Sequence, residues 1–310
     1  MIWLVGARGM LGKDVASELQ RHGMPFVSSD TDCDVTDPTA VEDFARGRKL
    51  DWIINCSAYT AVDKAEDNEC LADLVNALGP ENLGRLAAAR GSRILHFSTD
   101  YVFDGTASLP YREEDPVGPR GAYARTKERG ERLLRQAAAE HVIIRTAWLY
   151  GIHGESFVAT MLRLMKERQE VAVVDDQRGT PTYTRDLAAA IVKVVASREP
   201  TFGTFHYTNE GETTWHGFAC AIADAAQARG LLSRPCRVKP IRTDQYPTRA
   251  PRPAYSVLSK EKIRLTYRIE IPTWENALSR YLDEVQRERT LSVATQSPTN
   301  QVQVPHASSQ

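Results

Sequence analysis

The sequence predicts an α/β fold, a doubly wound parallel sheet followed by a smaller C-terminal α+β lobe. Three observations carry that expectation. Short apolar runs alternate with helically periodic segments through the first half of the chain. The first apolar run ends in a glycine-spaced turn, GARGMLG, spanning Gly6 to Gly12. After about residue 150 the alternation loosens, and residues 235–256 hold five of the sixteen prolines.

Each element follows from local pattern. IWLV at 2–5 is a short continuous apolar run, the mark of a strand covered on both faces. Leu11, Val15 and Leu19 then fall on one helix face. PFVS at 25–28 reads as the second strand. In TDPT, Asp37 can cap a helix and Pro38 suits its first position, with Val41, Phe44 and Ala45 facing inward. DWIIN (51–55), SRILHFS (92–98) and HVIIRTA (141–147) read as three more strands, and Leu83, Leu86 and Ala87 line a crossover helix. GAYARTKERGERLL (121–134) begins after a Gly/Pro-rich stretch and reads as a helix. Beyond it, SFVATMLRLMKERQE is a helix with Phe157, Met161 and Leu164 on one side. The segment from Val171 to Ala196 reads as strand, turn and helix, and that from Phe205 to Gly230 as strand, polar loop and helix.

The pattern is Rossmann-type, with residues 1–151 as a dinucleotide-binding domain to which 178–206 return. Residues 152–177 and 207–290 make the substrate lobe. Residues 291–310 are polar and aperiodic, and the expectation is a disordered tail.

Bulk composition narrows the function. The 310 residues are 42% hydrophobic and 25% charged, with a net charge of −1, so nothing favours nucleic acid or an anionic membrane. Cys33, Cys56, Cys70, Cys220 and Cys236 form no C-x-x-C pair, which suits a reducing compartment. The apolar start MIWLVGARG is too short for a signal segment and lacks a basic beginning; no segment has the length of a membrane span. A cytoplasmic protein is expected.

Chemistry concentrates at strand ends. Gly6, Gly9 and Gly12 occupy the first, fourth and seventh positions of their turn. Such glycines allow a tight turn, close approach of backbone to a diphosphate, and packing of helix on strand. The helix that follows points free N–H groups at the phosphates. Asp30, at the end of the second strand, is placed for an adenosine ribose, which favours NAD, whereas Arg8 can meet a 2′-phosphate; NADH and NADPH both stay open. CDVTD puts Asp34 and Val35 where an adenine can rest. The fourth strand ends in FSTDYVFDG, which brings Ser98, Thr99 and Asp100 to the same crevice. Tyr123 and Lys127, four residues apart, leave one face of the next helix.

Glycine loop, strand-end hydroxyl and Y-x-x-x-K in this order resemble the extended short-chain dehydrogenase/reductase pattern. The resemblance implies that Tyr123 is the general acid, Lys127 its partner, and Thr99 the hydroxyl that holds a substrate carbonyl. A phenol, with a pKa of about 10, is protonated at neutral pH. A cation within about 4–6 Å would lower that pKa by about 1–3 and bring the acid nearer the working pH. Lys127 can also bond the nicotinamide ribose, and Thr99 adds a donor toward the developing oxyanion.

A narrower family emerges from NCSAYTAVDKAE (55–66), HFSTDYVFDG (96–105), YARTKERGE (123–131), IRTAWLYG (144–151), DQRGTPTYTRDLA (176–188), TTWHGFA (213–219) and RPAYSVL (252–258). Together they resemble the dTDP-4-dehydrorhamnose reductases over about residues 1–285. That resemblance implies NAD(P)H-dependent reduction of the 4-keto group of dTDP-6-deoxy-L-lyxo-4-hexulose to dTDP-L-rhamnose, a small nucleotide-sugar substrate. It implies that Gly9, Met10 and Leu11 meet the diphosphate, that Asp34 and Val35 flank adenine, and that Ala58, Tyr59 and Thr60 line the coenzyme path. Thr99 and Asp100 would face the sugar, and Trp148 would touch it, with core packing as the alternative for Trp148. Arg252 would pair with the nucleotide diphosphate, or serve as a cap or surface residue. The second-strand region carries an insertion relative to the family, so Ser29 and Asp30 both remain candidates for the ribose. Some members bind Mg²⁺ through a glutamate cluster at a dimer contact. No carboxylate cluster here calls for one, so Mg²⁺ and a homodimer rest on the resemblance.

Two rivals use the same features. An extended short-chain epimerase or dehydratase shares the loop, the hydroxyl and the Tyr/Lys pair, but DQRGTPT and RTAWLYG argue against it. Relatives that act as regulatory subunits of methionine adenosyltransferase do not need the trio Thr99, Tyr123 and Lys127, all present here.

Overall fold

The computed structural model describes residues 1–296, with side-chain surroundings through residue 290. The chain opens with β1 (Ile2–Val5), α1 (Met10–Arg21), β2 (Phe26–Ser29), α2 (Pro38–Ala45) and β3 (Trp52–Asn55). Short helices α3 (Val62–Ala65) and α4 (Glu69–Asp73) and a π-helical turn at Leu74–Leu78 lead into α5 (Gly79–Arg90). Then come β4 (Arg93–Thr99), a 3₁₀ turn at Asp100–Val102, α6 (Ala122–Ala137), β5 (His141–Thr146) and β6 (Leu149–Tyr150). Next are α7 (Phe157–Glu167), β7 (Glu170–Val174), β8 (Arg178–Gly179), β9 (Thr182–Tyr183), α8 (Thr184–Val195) and β10 (Gly203–His206). The chain continues through β11 (Thr213–Thr214), α9 (Trp215–Ala228), β12 (Arg237–Ile241), α10 (Glu261–Tyr267) and α11 (Trp274–Gln296).

Six parallel strands form the main sheet in the order β10-β5-β4-β3-β1-β2. The chain steps from β1 outward to β2 and then across to β3, so the direction of winding reverses between β1 and β3. Such a switch point leaves a crevice at the carboxyl ends of the strands. The apolar runs are continuous because both faces are covered. On one face Leu4, Ile54, Leu95 and Ile144 meet α1 and α8; on the other Trp3, Ile53, Ile94 and Ile143 meet α5 and α6. Each such side chain, fully buried, contributes roughly 1.5–3 kcal/mol.

Residues after β5 divide between two places. α8 packs on α1 through Leu187 and Ile191, and β10 extends the main sheet with Phe205 opposite Ile144. The lobe has its own core, in which Met161, Met165, Phe218, Ile222 and Leu278 come together. β12, which local pattern did not reveal, pairs with β7 in parallel, Val238 opposite Val171.

Capping chemistry behaves as the sequence suggests at α2, where Asp37 accepts from Thr39 N at 2.8 Å and Pro38 leads the helix. Phe157, Met161 and Leu164 of α7 share one side, as their spacing suggests, and line a cavity, while Val158, Leu162 and Met165 are buried in the lobe core. One expectation changes: α11 runs on to Gln296, so its end enters the segment expected to be irregular. The remainder of the expected tail, 297–310, lies outside the described residues. Among the described residues no helix is long and apolar enough to cross a membrane.

Candidate active site

The glycine turn is built by close contact. Gly6 has φ +74°, and a Cβ there would sit 2.6 Å from Ser57 N. Its N–H and that of Ala7 donate to Ser29 O at 2.9 and 3.1 Å, which ties the turn to β2. A Cβ on Gly12 would lie 2.2 Å from Gly6 O, so only glycine lets α1 start this close to the strand. Gly9 is exposed at the N-cap of α1, and the first turn of the helix, Met10 to Gly12, presents N–H groups that α-helical bonding leaves free. The side chain of Leu11 lies in the core at 8% exposure, so only its backbone is available to a ligand.

A cleft of about 460 Å³ lies at this turn, and Gly6, Gly9, Asp30, Asp34, Val35 and Ala58 line it. Asp30 accepts from Arg8 N at 2.8 Å and from Thr31 N at 3.1 Å, while Ser29 is turned inward and accepts from Trp3 Nε1 at 2.8 Å. Of the two candidates for the ribose, Asp30 is therefore the one at the cleft. Asp34 accepts from Thr36 N and Oγ1 at 2.9 and 2.8 Å and shapes the turn into α2. Tyr59 is held by Asn76, which accepts its N–H at 2.9 Å and donates to its C=O at 3.1 Å. Thr60 is exposed and does not line the cleft. Positive backbone N–H groups, a carboxylate and an open glycine fit a nicotinamide dinucleotide.

One strand over, β4 ends at Thr99, and α6 begins nearby with its first N–H, that of Ala122, donating to Glu66 Oε1 at 2.8 Å. This borrowed cap fixes the start of α6 and with it Tyr123. Tyr123 lies beside Thr99, whose hydroxyl donates to Asp100 Oδ1 at 3.0 Å and accepts from Tyr101 N at 3.3 Å. The ring of Tyr101 meets that of Tyr123 edge-on, 6.0 Å between centroids. The structure thus brings together Thr99, Asp100 and Tyr123 at the carboxyl end of β4.

The electrostatics differ from the expectation. Burial pushes the Tyr123 phenol up to about 12; the hydrogen bond with Thr99 lowers it and Asp100 raises it. No depression by Lys127 appears, because the Lys127 amine is turned to Phe97 O at 2.6 Å and stands 3.3 Å from His96 Nε2. Burial brings Lys127 itself down to about 8, with Glu131 opposing. Burial also raises Asp100 to about 7, against hydrogen bonds from Ser256 and Thr99. Glu131 accepts two bonds from Arg145, at 2.9 and 2.8 Å, which anchor α6 to β5 one turn beyond Lys127.

Beyond Tyr101 a larger cavity of about 930 Å³ opens between the sheet and the lobe. Arg252 lines it, donates to Asp63 Oδ2 at 2.7 Å and to Ala250 O at 3.1 Å. Trp148 does not line it. Its backbone has φ +48°, and its ring stacks on Trp215 at 3.5 Å, so Trp215 presents the flat face to the cavity. Sequence reasoning passed over Trp215, Asp63 and Gln177, because the segments that carry them, far apart in the chain, meet only in three dimensions. It passed over His96 too, although a polar residue inside the apolar run SRILHFS was a signal. Among the described residues no group of three or more His, Cys, Asp or Glu side chains is placed to hold a metal ion, so no step is assigned to Mg²⁺.

Comparison with known proteins bears on this arrangement. The family model described as the RmlD substrate binding domain matches residues 1–287. A dTDP-4-dehydrorhamnose reductase of Burkholderia thailandensis is 39% identical over 289 residues, 89% of this chain and 96% of the relative. A crystal structure of a dTDP-4-dehydrorhamnose reductase from Clostridium acetobutylicum superposes with a TM-score of 0.87 at 40% identity, covering 92% of this chain and 99% of the other. The Bacillus anthracis dTDP-4-dehydrorhamnose reductase, solved in complex with NADP, has a TM-score of 0.86 at 35% identity, covering 91% and 98%.

Proposed function

The chain belongs to the dTDP-4-dehydrorhamnose reductase family, and from that premise we propose that it reduces the 4-keto group of dTDP-6-deoxy-L-lyxo-4-hexulose to dTDP-L-rhamnose. It is a nicotinamide-dependent oxidoreductase. The observation that carries the reading is the placement of Tyr123 beside Thr99 and Asp100 at the end of β4, edge-on to Tyr101, which lines the 930 Å³ cavity.

A reduced nicotinamide, when bound in the cleft, supplies the hydride. Gly9 and the free N–H groups of Met10 and Leu11 would hold its diphosphate, and Val35, Asp34 and Ala58 its adenosine end. NADPH is the proposed coenzyme, supported by the NADP complex of the Bacillus anthracis relative and by the exposed Arg8 beside Asp30.

Tyr123 is the proton donor. Its raised pKa keeps the phenol protonated at neutral pH. It releases the proton only as negative charge develops on the carbonyl oxygen, so one proton and one hydride together convert C=O to CH–OH. Thr99, beside the phenol and tied to Asp100, would set a hydroxyl at the substrate carbonyl. Lys127 gives one N–H to Phe97 O and keeps others for a ribose hydroxyl. Arg252 and the Trp215 face would receive the nucleotide end of the sugar.

The test supplies the dTDP-4-keto sugar with NADPH and follows coenzyme absorbance and product identity together. Stoichiometric coenzyme oxidation with dTDP-L-rhamnose formed is expected. Sugar conversion without net coenzyme oxidation would instead mark an epimerase or dehydratase, and no conversion at all would reject the reading.

A further inference from the structure

Behind Lys127 lies a buried polar chain that the reaction above does not use. Asn55 ends β3 and His96 sits opposite it in β4, in register. Both are fully buried. Asn55 Oδ1 accepts from Ser57 N at 3.0 Å and from Ser57 Oγ at 2.6 Å. A backbone N–H can only donate, so this contact fixes which end of the amide is oxygen. The Asn55 NH₂ therefore faces His96 Nδ1, at 3.1 Å, and Nδ1 must accept. The imidazole proton is thereby assigned to Nε2, which points at Lys127 Nζ at 3.3 Å.

An N–H aimed at an ammonium sets donor against donor. A neutral amine has a lone pair to accept it, while one of its own N–H groups still bonds Phe97 O at 2.6 Å. If Lys127 is charged, the imidazole must move its proton to Nδ1, and the conflict passes to the Asn55 NH₂. One mismatched contact exists whenever Lys127 carries its proton, and none when it does not.

We propose that Asn55 and His96 are positioning residues for Lys127: the fixed amide selects the imidazole tautomer, and the imidazole N–H disfavours the lysine ammonium, setting the pH at which Lys127 holds its proton. Ser57 lines the coenzyme cleft and abuts Gly6, so the chain starts at the cleft floor and ends at the lysine. Other ionisable groups around Lys127 act differently. Glu131, one turn along α6, favours the ammonium but is taken up by Arg145. Burial, and then Lys127, hold His96 well below its ordinary value, so the ring stays neutral throughout.

The inference rests on the reading of Lys127 as a coenzyme-binding residue. Asn55→Asp tests it. A carboxylate can still accept from Ser57, but its second oxygen demands a proton on His96 Nδ1, which leaves Nε2 as an acceptor for the ammonium. The pH above which NADPH binding weakens, followed by nucleotide fluorescence, should rise by about one unit. A second measurement needs no variant. Nitrogen-15 spectra of the unliganded wild-type imidazoles, above the pH at which Lys127 titrates, should show His96 protonated at Nε2 and bare at Nδ1. A His96 protonated at Nδ1 there, or an Asn55→Asp protein with the wild-type binding profile, overturns the inference. Failure of the wild type to bind NADPH or reduce the sugar would overturn the functional reading instead.

Discussion

Thr99 gives its single hydroxyl proton to Asp100, Oγ1 to Oδ1 at 3.0 Å, with both residues buried. The Thr99 oxygen accepts from Tyr101 N at 3.3 Å, and the Tyr123 phenol stands beside it. The phenol is thus held protonated by burial, with no neighbouring cation to lower it. Replacing Tyr123 by Phe removes the proton and keeps the ring. Turnover should fall by about 10²–10⁴-fold while coenzyme affinity stays within a factor of about three. Steady-state kinetics and coenzyme titration check both halves, and wild-type turnover in that variant would refute the assignment.

Asp100 makes stability depend on pH. Its carboxyl is raised by burial from 3.8 to about 7. Between those values the folded protein keeps a proton that the unfolded chain has released. The associated stability is present at low pH and is lost as pH rises through about 7. Asp100→Asn has no such proton. The melting temperature of the variant minus that of the wild type should grow by several degrees from pH 5 to pH 8. A difference that stays flat over that range refutes the burial argument.

Arg252 should matter for substrate more than for chemistry. It lines the large cavity and is held by Asp63 and Ala250. Arg252→Ala should raise KM for the nucleotide sugar by about 10–100-fold, the loss of one or two charge-assisted hydrogen bonds, with kcat nearly unchanged. A fall in kcat at constant KM would place Arg252 elsewhere in the reaction.

At Gly12 the expected change is structural. Alanine would place a Cβ 2.2 Å from Gly6 O, a backbone atom that cannot swing away. Gly12→Ala should cost about 2 kcal/mol or more in urea unfolding and weaken coenzyme binding with it. A variant as stable as wild type would mean the turn can open.

The proposed preference for NADPH makes a prediction at Arg8, which is exposed and donates its backbone N–H to Asp30. Arg8→Ala should weaken NADPH binding by about tenfold and leave NADH binding unchanged. Equal effects on both coenzymes would remove the 2′-phosphate from the side chain's role.

Much of this was legible in local sequence. The strands of the main sheet were readable because a four-residue apolar run such as IWLV has both faces covered, and Asp37–Pro38 announced α2 through chemistry confined to neighbouring residues. The order Gly6–Gly12, Thr99, Tyr123, Lys127 pointed to one crevice because parallel strands deliver their carboxyl ends to one edge. The surroundings of Trp148 were not legible, for the opposite reason. The ring it stacks on, Trp215, lies far along the chain at the start of α9, and no local pattern reports a stack between such distant segments.

The sequence by itself determined the alternation of strand and helix, the glycine turn and the spacing of the tyrosine from its lysine, since each depends on residues within a few turns of one another. Only the tertiary structure decided the protonation chemistry. Whether Tyr123 is raised or lowered, and which atom Lys127 faces, depend on burial and on His96, Asn55 and Asp100 arriving from other strands. Desolvation and hydrogen bonding act through space, and chain order does not record which groups will share it.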